Sequence, residues 1–251
     1  MANSRAGETV VSRVVRIIEA FGARQPTLTV SALARAVDLP LSTTHRLVAE
    51  LVDSGFLERD ETRRIRLGRR LWELASRGSS EAGLAERALP YMEDVHAVVQ
   101  QHTTLGVLDH DEVLYLTRLS SHSKTRNIAT VAGRLPVHAC SSGLVLLAHS
   151  TPDYQDYMLS QELRRYTDQT ITDPVLLRRK LAEIRTLGYA SVPGIIIPES
   201  TGIAVPVFER GHRAVAALNV IVHRGEEDLS STVPALKTAA RGISRVLGDT
   251  V

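Results

Sequence analysis

Thr29-Val30-Ser31-Ala32-Leu33-Ala34-Arg35-Ala36-Val37-Asp38-Leu39-Pro40-Leu41-Ser42-Thr43-Thr44-His45-Arg46-Leu47-Val48 is the stretch on which the fold of this chain turns. Thr29 reads as the N-cap of a short helix over Val30–Val37 that places Leu33, Ala34 and Val37 on one side. Asp38-Leu39-Pro40 breaks that pattern. A second helix then begins with Ser42 as its cap and runs to Asp53, where Gly55 stops it. Two short helices joined by a tight turn form a helix-turn-helix. Close crossing requires a small residue mid-way along the first helix, and Ala34 stands there. The turn requires tolerance of a left-handed backbone, which Asp38 supplies less comfortably than glycine would. Leu33, Val37, Leu39, Leu47 and Leu51 face inward, Thr44 sits at an inward position, and Ser42, Thr43, Arg46 and Glu50 are left outside.

The flanks extend the pattern. Val11, Val14, Val15, Ile18 and Phe21 recur at helical spacing and predict a helix ending near Gly22, followed by a Gln25-Pro26-Thr27 loop. Phe56–Arg59 and Arg64–Leu67 read as two strands around Asp60-Glu61-Thr62-Arg63, with Ile65 and Leu67 inward and Arg64 and Arg66 outward. A basic hairpin after a recognition helix is a wing, which adds phosphate or minor-groove contacts. Hydroxyls at a helix N-terminus suit phosphate, and Arg46 suits a guanine edge. Capping and ordinary solvation are the bland readings of the same residues.

Composition frames this reading. The chain has 251 residues, 43% hydrophobic and 23% charged, which excludes collagen-like, coiled-coil and disordered classes and leaves room for two domains. Its longest apolar runs, such as Gly143–Ala148, fall short of a membrane span, so no membrane partner is expected. The first residues lack a secretory signature and Cys140 is the single cysteine, so a cytoplasmic location without disulfides is expected. Residues 1–80 hold 13 Arg against 9 Asp and Glu, a balance of +4, and the remainder balances at −2. That asymmetry is expected when the N-terminal end meets a polyanion, with compositional drift as the bland alternative.

A joint follows the wing. Arg69–Arg77 reads as a helix with Leu71, Trp72, Leu74 and Ala75 on one side, interrupted by Gly78-Ser79-Ser80. Glu81–Gln101 reads as a second helix, kinked or split by Pro90. Exposed beside a linker, Trp72 asks for a cover, either a partner subunit or the chain's own first helix. Strands are then expected at Thr104–Leu108, Val113–Leu119, Asn127–Val131, Tyr189–Val192, Ile203–Glu209 and Ala214–Val222. Asp109–Glu112 and Arg210-Gly211-His212 supply hairpin turns. Helices are expected at Ser142–His149, Asp173–Leu187 and Ser230–Leu247. The pattern is an α+β fold with an antiparallel sheet. The chain divides near residue 79, and the assignment is a winged helix-turn-helix over 1–68, a helical linker over 69–90 and a second domain over 91–251.

Leu39–Val48, Gly55–Arg59 and Ile65–Gly68 resemble the DNA-binding domain of the IclR family of bacterial transcription regulators. Leu41 and Thr44 replace that family's usual lysine and valine. Arg134–Ala139, Thr170–Pro174, Leu187–Ala190 and Ala204–Phe208 carry the resemblance into the second half. It implies a GAF-like effector-binding domain with an antiparallel sheet, and a homodimer or dimer of dimers. The DNA-contacting set is then Thr29, Ser42, Thr43, Thr44, His45, Arg46, Arg63, Arg64 and Arg66, acting on double-stranded operator DNA with an inverted repeat. The effector pocket carried over from the family comprises Leu135, His138, Ser141, Ser142, Val192, Gly202, Asn219 and Ile221. Ser141 and Ser142 start a helix, which suits a carboxylate. Many relatives hold an acidic run where this chain reads Ser191-Val192-Pro193-Gly194-Ile195-Ile196-Ile197, so a more apolar wall and a different ligand are expected, either a carboxylate or an apolar aromatic.

His138 and Cys140 lie two apart, but no activating base or oxyanion site accompanies them, so no catalytic residue is assigned. The nine histidines show no metal-ligand spacing, and no cofactor fingerprint appears, so neither metal nor cofactor is expected. The expected function is a transcription regulator, a repressor answering a catabolic metabolite. An activator of the same family is the first alternative. An enzyme or ligand-binding module whose winged helix meets no DNA is the second.

Overall fold

The computed structural model describes residues 8–22, 25–121, 127–209 and 213–248. The chain forms two compact units, Met1–Ser79 and Ser80–Val251.

In the first unit, α1 (Val10–Glu19) is capped by Thr9, whose Oγ1 accepts from the Ser12 N–H. It ends at Glu19, short of Gly22. Helix α2 (Val30–Ala36) is capped by Thr29, which accepts from the Ala32 N–H at 3.2 Å. Asp38 holds the turn at φ 49, the left-handed conformation that this crossing needs. Helix α3 (Leu41–Asp53) starts one residue before Ser42, and its N-cap position is Pro40, without a side-chain cap. The expectation of a Ser42 cap therefore fails. Proline's fixed φ already directs the chain into the helix, and Ser42 is left in the first turn facing solvent. Strands β1 (Leu57–Arg59) and β2 (Ile65–Leu67) pair antiparallel, and the Ile65 backbone also bridges Leu28. Ile17, Leu28, Leu33, Leu47, Val48, Leu57 and Ile65 make the core. Leu67, expected inward with Ile65, is 44% exposed because it lies beyond the edge of this small core. Helix α4 (Arg69–Gly78) closes the unit.

The second unit opens with α5 (Ser80–Val99), which runs unbroken through Pro90. Glu86, whose carbonyl the proline leaves without its helical donor, is exposed, so water can satisfy it. Strands β3 (His102–Asp109), β4 (Glu112–Leu119) and β5 (Arg134–Pro136) lead through a 3-10 turn (Val137–Ala139) into α6 (Ser141–Ala148), α7 (Pro152–Ser160) and α8 (Pro174–Leu187). Strands β6 (Ala190–Pro193), β7 (Ser200–Phe208) and β8 (Ala214–His223) and helix α9 (Leu229–Gly248) complete it. The strands form one antiparallel sheet in the order β5-β4-β3-β8-β7-β6. Leu105, Ile203, Leu218 and Val220 face α5 and α9, while Tyr115, Ala204 and Ala217 face α6 and α8, giving a core on each side of the sheet.

Helix α8 follows the sequence signals closely. Asp173 caps it through the Val175 and Leu176 N–H groups, and Gly188 ends it at φ 71. The expected strand at Asn127–Val131 is absent. Asn127 Oδ1 accepts from the Ala129 N–H, and Ala132 at φ 59 with a turn from Thr130 to Gly133 prevents an extended run. The turn expected at Arg210-Gly211-His212 lies outside the described residues. Helix α7 and strand β5 lie beyond the elements that the sequence pattern predicts. Among the described residues, no helix is long and apolar enough to cross a membrane.

Candidate functional site

Two places carry the residues singled out by sequence, one in each unit. The first is the outward face of α3. Leu47, Val48 and Leu51 anchor it in the core, which turns Ser42, His45, Arg46 and Glu50 toward solvent and leaves Thr43 half-buried. The helix N-terminus carries no competing carboxylate in its first turn, so its free N–H groups suit an anion. Arg46 pairs with Glu50 at 2.7 Å, both side chains 59% exposed. An exposed pair of this kind is worth about 0.3–0.5 kcal/mol. A bidentate guanine contact is worth about 1–3 kcal/mol, so the pairing with Glu50 is too weak to hold Arg46 back from such a contact.

Thr44 does not belong to this face. It is fully buried and its hydroxyl donates to the Pro40 carbonyl at 3.1 Å, which tolerates a polar residue where the helix packs inward. Its assignment to DNA contact is corrected accordingly. Thr29 uses its hydroxyl as the α2 cap.

The wing is shaped by Asp60, whose Oδ1 accepts from the Thr62 and Arg64 N–H groups and the Thr62 hydroxyl. The Thr62 hydroxyl bond, followed by the two backbone donors, holds the Asp60 carboxyl below its ordinary range. Glu58 is likewise lowered, first by the Arg69 N–H and then by the Arg66 guanidinium. Arg66 is thus paired at 3.0 Å, and Arg64 binds Thr27 through Nε and Nη2, both at 3.0 Å. Arg63, at φ 61 on the tip, is exposed. Of the four wing arginines, Arg64 and Arg66 make side-chain bonds, while Arg59 and Arg63 are exposed and make none among the described residues.

The second place is a cavity of about 30 Å³ within the second unit. Leu135, Ser141, Val192, Gly202, Asn219 and Ile221 line it, as the resemblance implied. Gly202 lets β7 approach α6 closely, since a Cβ there would lie 2.5 Å from Ser141 Oγ. Ser141 Oγ donates to Asn219 Oδ1 at 3.3 Å, and Asn219 Nδ2 donates to Thr104 Oγ1 at 3.2 Å. This buried polar chain ties α6 to the middle of the sheet. Ile195, Ile196 and Ile197 form an apolar wall, pinned by Thr170 Oγ1 donating to the Ile195 carbonyl and Thr167 Oγ1 to the Gly194 carbonyl, both at 2.7 Å.

Two expected pocket residues are placed otherwise. His138 is buried beside the cavity-forming segment but is not among the lining residues. Its Nε2 bonds the Arg164 carbonyl at 2.9 Å, and its ring lies 6.1 Å from that of Tyr166. It fastens the loop before α8. Ser142 is fully buried and not among the lining residues, and its Oγ has no hydrogen-bond partner. Sequence reading missed Tyr115, Asn127, Ile128, Ala129, Cys140 and Ser200, all of which line the cavity. Asn127 and Tyr115 arrive from the turn after β4 and from β4 itself, which no local pattern connects to β7 and β8. Burial pushes the Cys140 thiol up to about 11 and the Tyr115 phenol well above its usual range, so both are neutral near pH 7. A larger, more open groove of about 540 Å³ gathers Arg87 and Arg213 with Glu81 and Glu209, and none of the expected pocket residues lies in it. Among the described residues, no group of three or more His, Cys, Asp or Glu is placed to hold a metal.

Comparison with known proteins covers both units. The family model described as the IclR helix-turn-helix domain matches residues 10–61, and that described as bacterial transcriptional regulator IclR C-terminal matches residues 78–245. The chain is 31% identical over 248 residues to the HTH-type transcriptional regulator BhcR of Paracoccus denitrificans, covering 97% of this chain and 88% of that protein. It is 47% identical to an IclR homolog from Microbacterium hydrocarbonoxydans whose crystal structure is a complex with 4-hydroxybenzoate, with a TM-score of 0.90 and coverage of 95% and 99%. An IclR homolog from Microbacterium sp. strain HM58-2 is 44% identical, with a TM-score of 0.64 and coverage of 97% and 100%. With a winged helix-turn-helix before an antiparallel sheet domain, both matched by its models, the chain belongs to the IclR family of bacterial transcriptional regulators.

Proposed function

We propose that this protein is a repressor that binds an inverted-repeat operator as a homodimer and releases it when an aromatic carboxylate enters the cavity of its second unit. The reading is supported above all by that cavity. Apolar walls from Leu135, Val192 and Ile195–Ile197 meet the Ser141–Asn219 polar pair at the N-terminus of α6. Such a site accepts a flat apolar body with one anionic end. The relative at 47% identity was crystallised with a ligand of that kind. No carboxylate stands in residues 191–197 to repel it.

The cavity's 30 Å³ is far below the roughly 300–1,000 Å³ of occupied small-molecule sites. Ligand entry therefore displaces the Ile195–Ile197 wall, and binding favours the conformation in which that wall stands out. The ligand is bound without turnover. On the DNA side, Ser42, Thr43, His45 and Arg46 enter the major groove and Arg63 meets the backbone. Val10, Val11 and Val15 on α1 and Trp72 on α4, the last 73% exposed, offer apolar surface for dimerisation. Recognition helices spaced about 34 Å apart then reach successive major grooves.

Fluorescence anisotropy with the DNA upstream of the protein's own gene tests this reading. Tight binding that 4-hydroxybenzoate weakens is expected. Arg46→Ala should lower affinity for the specific site about 10-fold or more while leaving nonspecific affinity within about 3-fold. Equal losses on both DNAs would make Arg46 a phosphate contact, and no response to the ligand would remove the effector assignment.

A further inference from the structure

We infer that Asn127 is a specificity-determining residue of the effector cavity, reading a second oxygen on the ligand through its side-chain N–H group. This rests on the reading of the cavity as the site of an aromatic carboxylate, and it sets which members of that class the protein prefers.

Ser141 donates to Asn219, Asn219 donates to Thr104, and the Ser200 hydroxyl donates to the Ile197 carbonyl. Cys140 Sγ accepts from the Gly143 N–H, and Ser142 Oγ, also without a hydrogen-bond partner, belongs to a residue that does not line the cavity. Asn127 is different. Its Nδ2 is buried without a hydrogen-bond partner, and no other described residue lining the cavity has such a side-chain atom.

The orientation of the amide is fixed by chemistry. The Ala129 N–H can only donate, so the Asn127 atom 2.9 Å from it is the oxygen. The group left over is therefore an N–H donor. Neighbouring backbone holds it in place, with the Arg118 guanidinium on the Ala129 carbonyl and the Tyr115 backbone bonded to Ala132 and Gly133. A buried donor without an acceptor is costly, and a ligand oxygen removes that cost.

Asn127 comes with Ile128 and Ala129 from the segment after β4, whereas Ser141, Gly202 and Asn219 belong to α6, β7 and β8. The two polar features thus come from different elements of the fold. A ligand satisfying both carries a carboxylate for the start of α6 and an acceptor oxygen elsewhere on its ring. Oxygen-substituted benzoates are preferred to benzoate itself.

Isothermal titration of the full-length protein with benzoate, 4-hydroxybenzoate and 4-methoxybenzoate tests this. The wild type should bind 4-hydroxybenzoate about 10-fold or more tighter than benzoate. Asn127→Leu should bring that ratio close to one, whatever it does to overall affinity. Asn127→Asp keeps an acceptor for Ala129 but has no donor. It should retain the ligand whose oxygen bears a proton and lose the one whose oxygen only accepts, raising the 4-hydroxybenzoate to 4-methoxybenzoate preference about 10-fold over wild type. Ratios are read because a general distortion of the cavity weakens all three ligands together. Wild-type preference that survives unchanged in both variants overturns the role of Asn127 while leaving the effector assignment standing. A wild type that binds none of the three overturns the assignment itself, and this inference with it.

Discussion

Gly202→Ala probes the closeness of β7 and α6, on which the cavity depends. The new methyl would lie 2.5 Å from Ser141 Oγ, 3.1 Å from Ser141 Cβ and 3.5 Å from Ile221 Cδ1. Only the first contact is impossible, so Ser141 must rotate or β7 must retreat. Rotation breaks the 3.3 Å bond from Ser141 to Asn219 in a fully buried setting. Losing a buried hydrogen bond while overpacking the site costs about 1–3 kcal/mol. For a unit spanning Ser80–Val251, each kcal/mol lowers the melting temperature by about 2–4 °C. Ser141→Ala alone should cost about 1 kcal/mol, because it removes one donor and leaves Asn219 Oδ1 without it. The double variant is the decisive one. With the hydroxyl gone, the methyl introduced by Gly202→Ala occupies its place, and the tightest remaining contact is the 3.1 Å approach to Cβ of residue 141. The two changes together should cost about 1 kcal/mol less than the sum of the separate effects. Thermal and urea unfolding of the four proteins by circular dichroism measures this coupling. Strict additivity would show that Ser141 and Gly202 are not in contact as described, and the geometry of the cavity would have to be redrawn.

Other expectations follow from the first unit. Thr44→Val should leave operator affinity unchanged, because Thr44 is buried, and should change stability by less than about 1 kcal/mol. The Pro40 carbonyl keeps its bond from the residue 44 N–H at 2.9 Å. A large loss of DNA binding in gel-shift titrations would return Thr44 to the interface. The wing should resist moderate acid. Asp60 and Glu58 are lowered from 3.8 and 4.5 by the donors around them. A folded value below the unfolded one stabilises the wing above the ordinary carboxylate range, and this support is lost as pH falls through the lowered values. Carboxyl titration by NMR should give midpoints below those ordinary values. Midpoints at or above them would mean that the Thr62, Arg64 and Arg69 donors do not hold the carboxylates.

What was legible in the sequence was local. The caps Thr29 and Asp173, the turn at Asp38 and the stop at Gly188 depend on interactions within a few residues, and each stands where the pattern placed it. The inward and outward faces of α3 follow from its periodicity for the same reason. Six of the eight positions implied by resemblance to a family line one cavity, because such a resemblance carries spatial information that spacing does not. The misread features share one cause, which is that local pattern is blind to surroundings. Strand alternation points Leu67 inward but cannot tell where a small core ends. Pro90 allows a split, but the helix continues through it with Glu86 on its exposed side.

By itself, then, the amino-acid order determined two units, a recognition helix with Arg46 outward, and an antiparallel α+β fold. Only the tertiary structure decided the order β5-β4-β3-β8-β7-β6 and the company each polar group keeps. Arg64 bends to Thr27, His138 fastens to Arg164, and Asn219 joins Ser141 to Thr104 across separations of 78 and 115 residues. Helix and turn patterns act over a few residues and cannot encode such pairs. The donor that Asn127 leaves without an acceptor is visible only once the wall opposite it is in place.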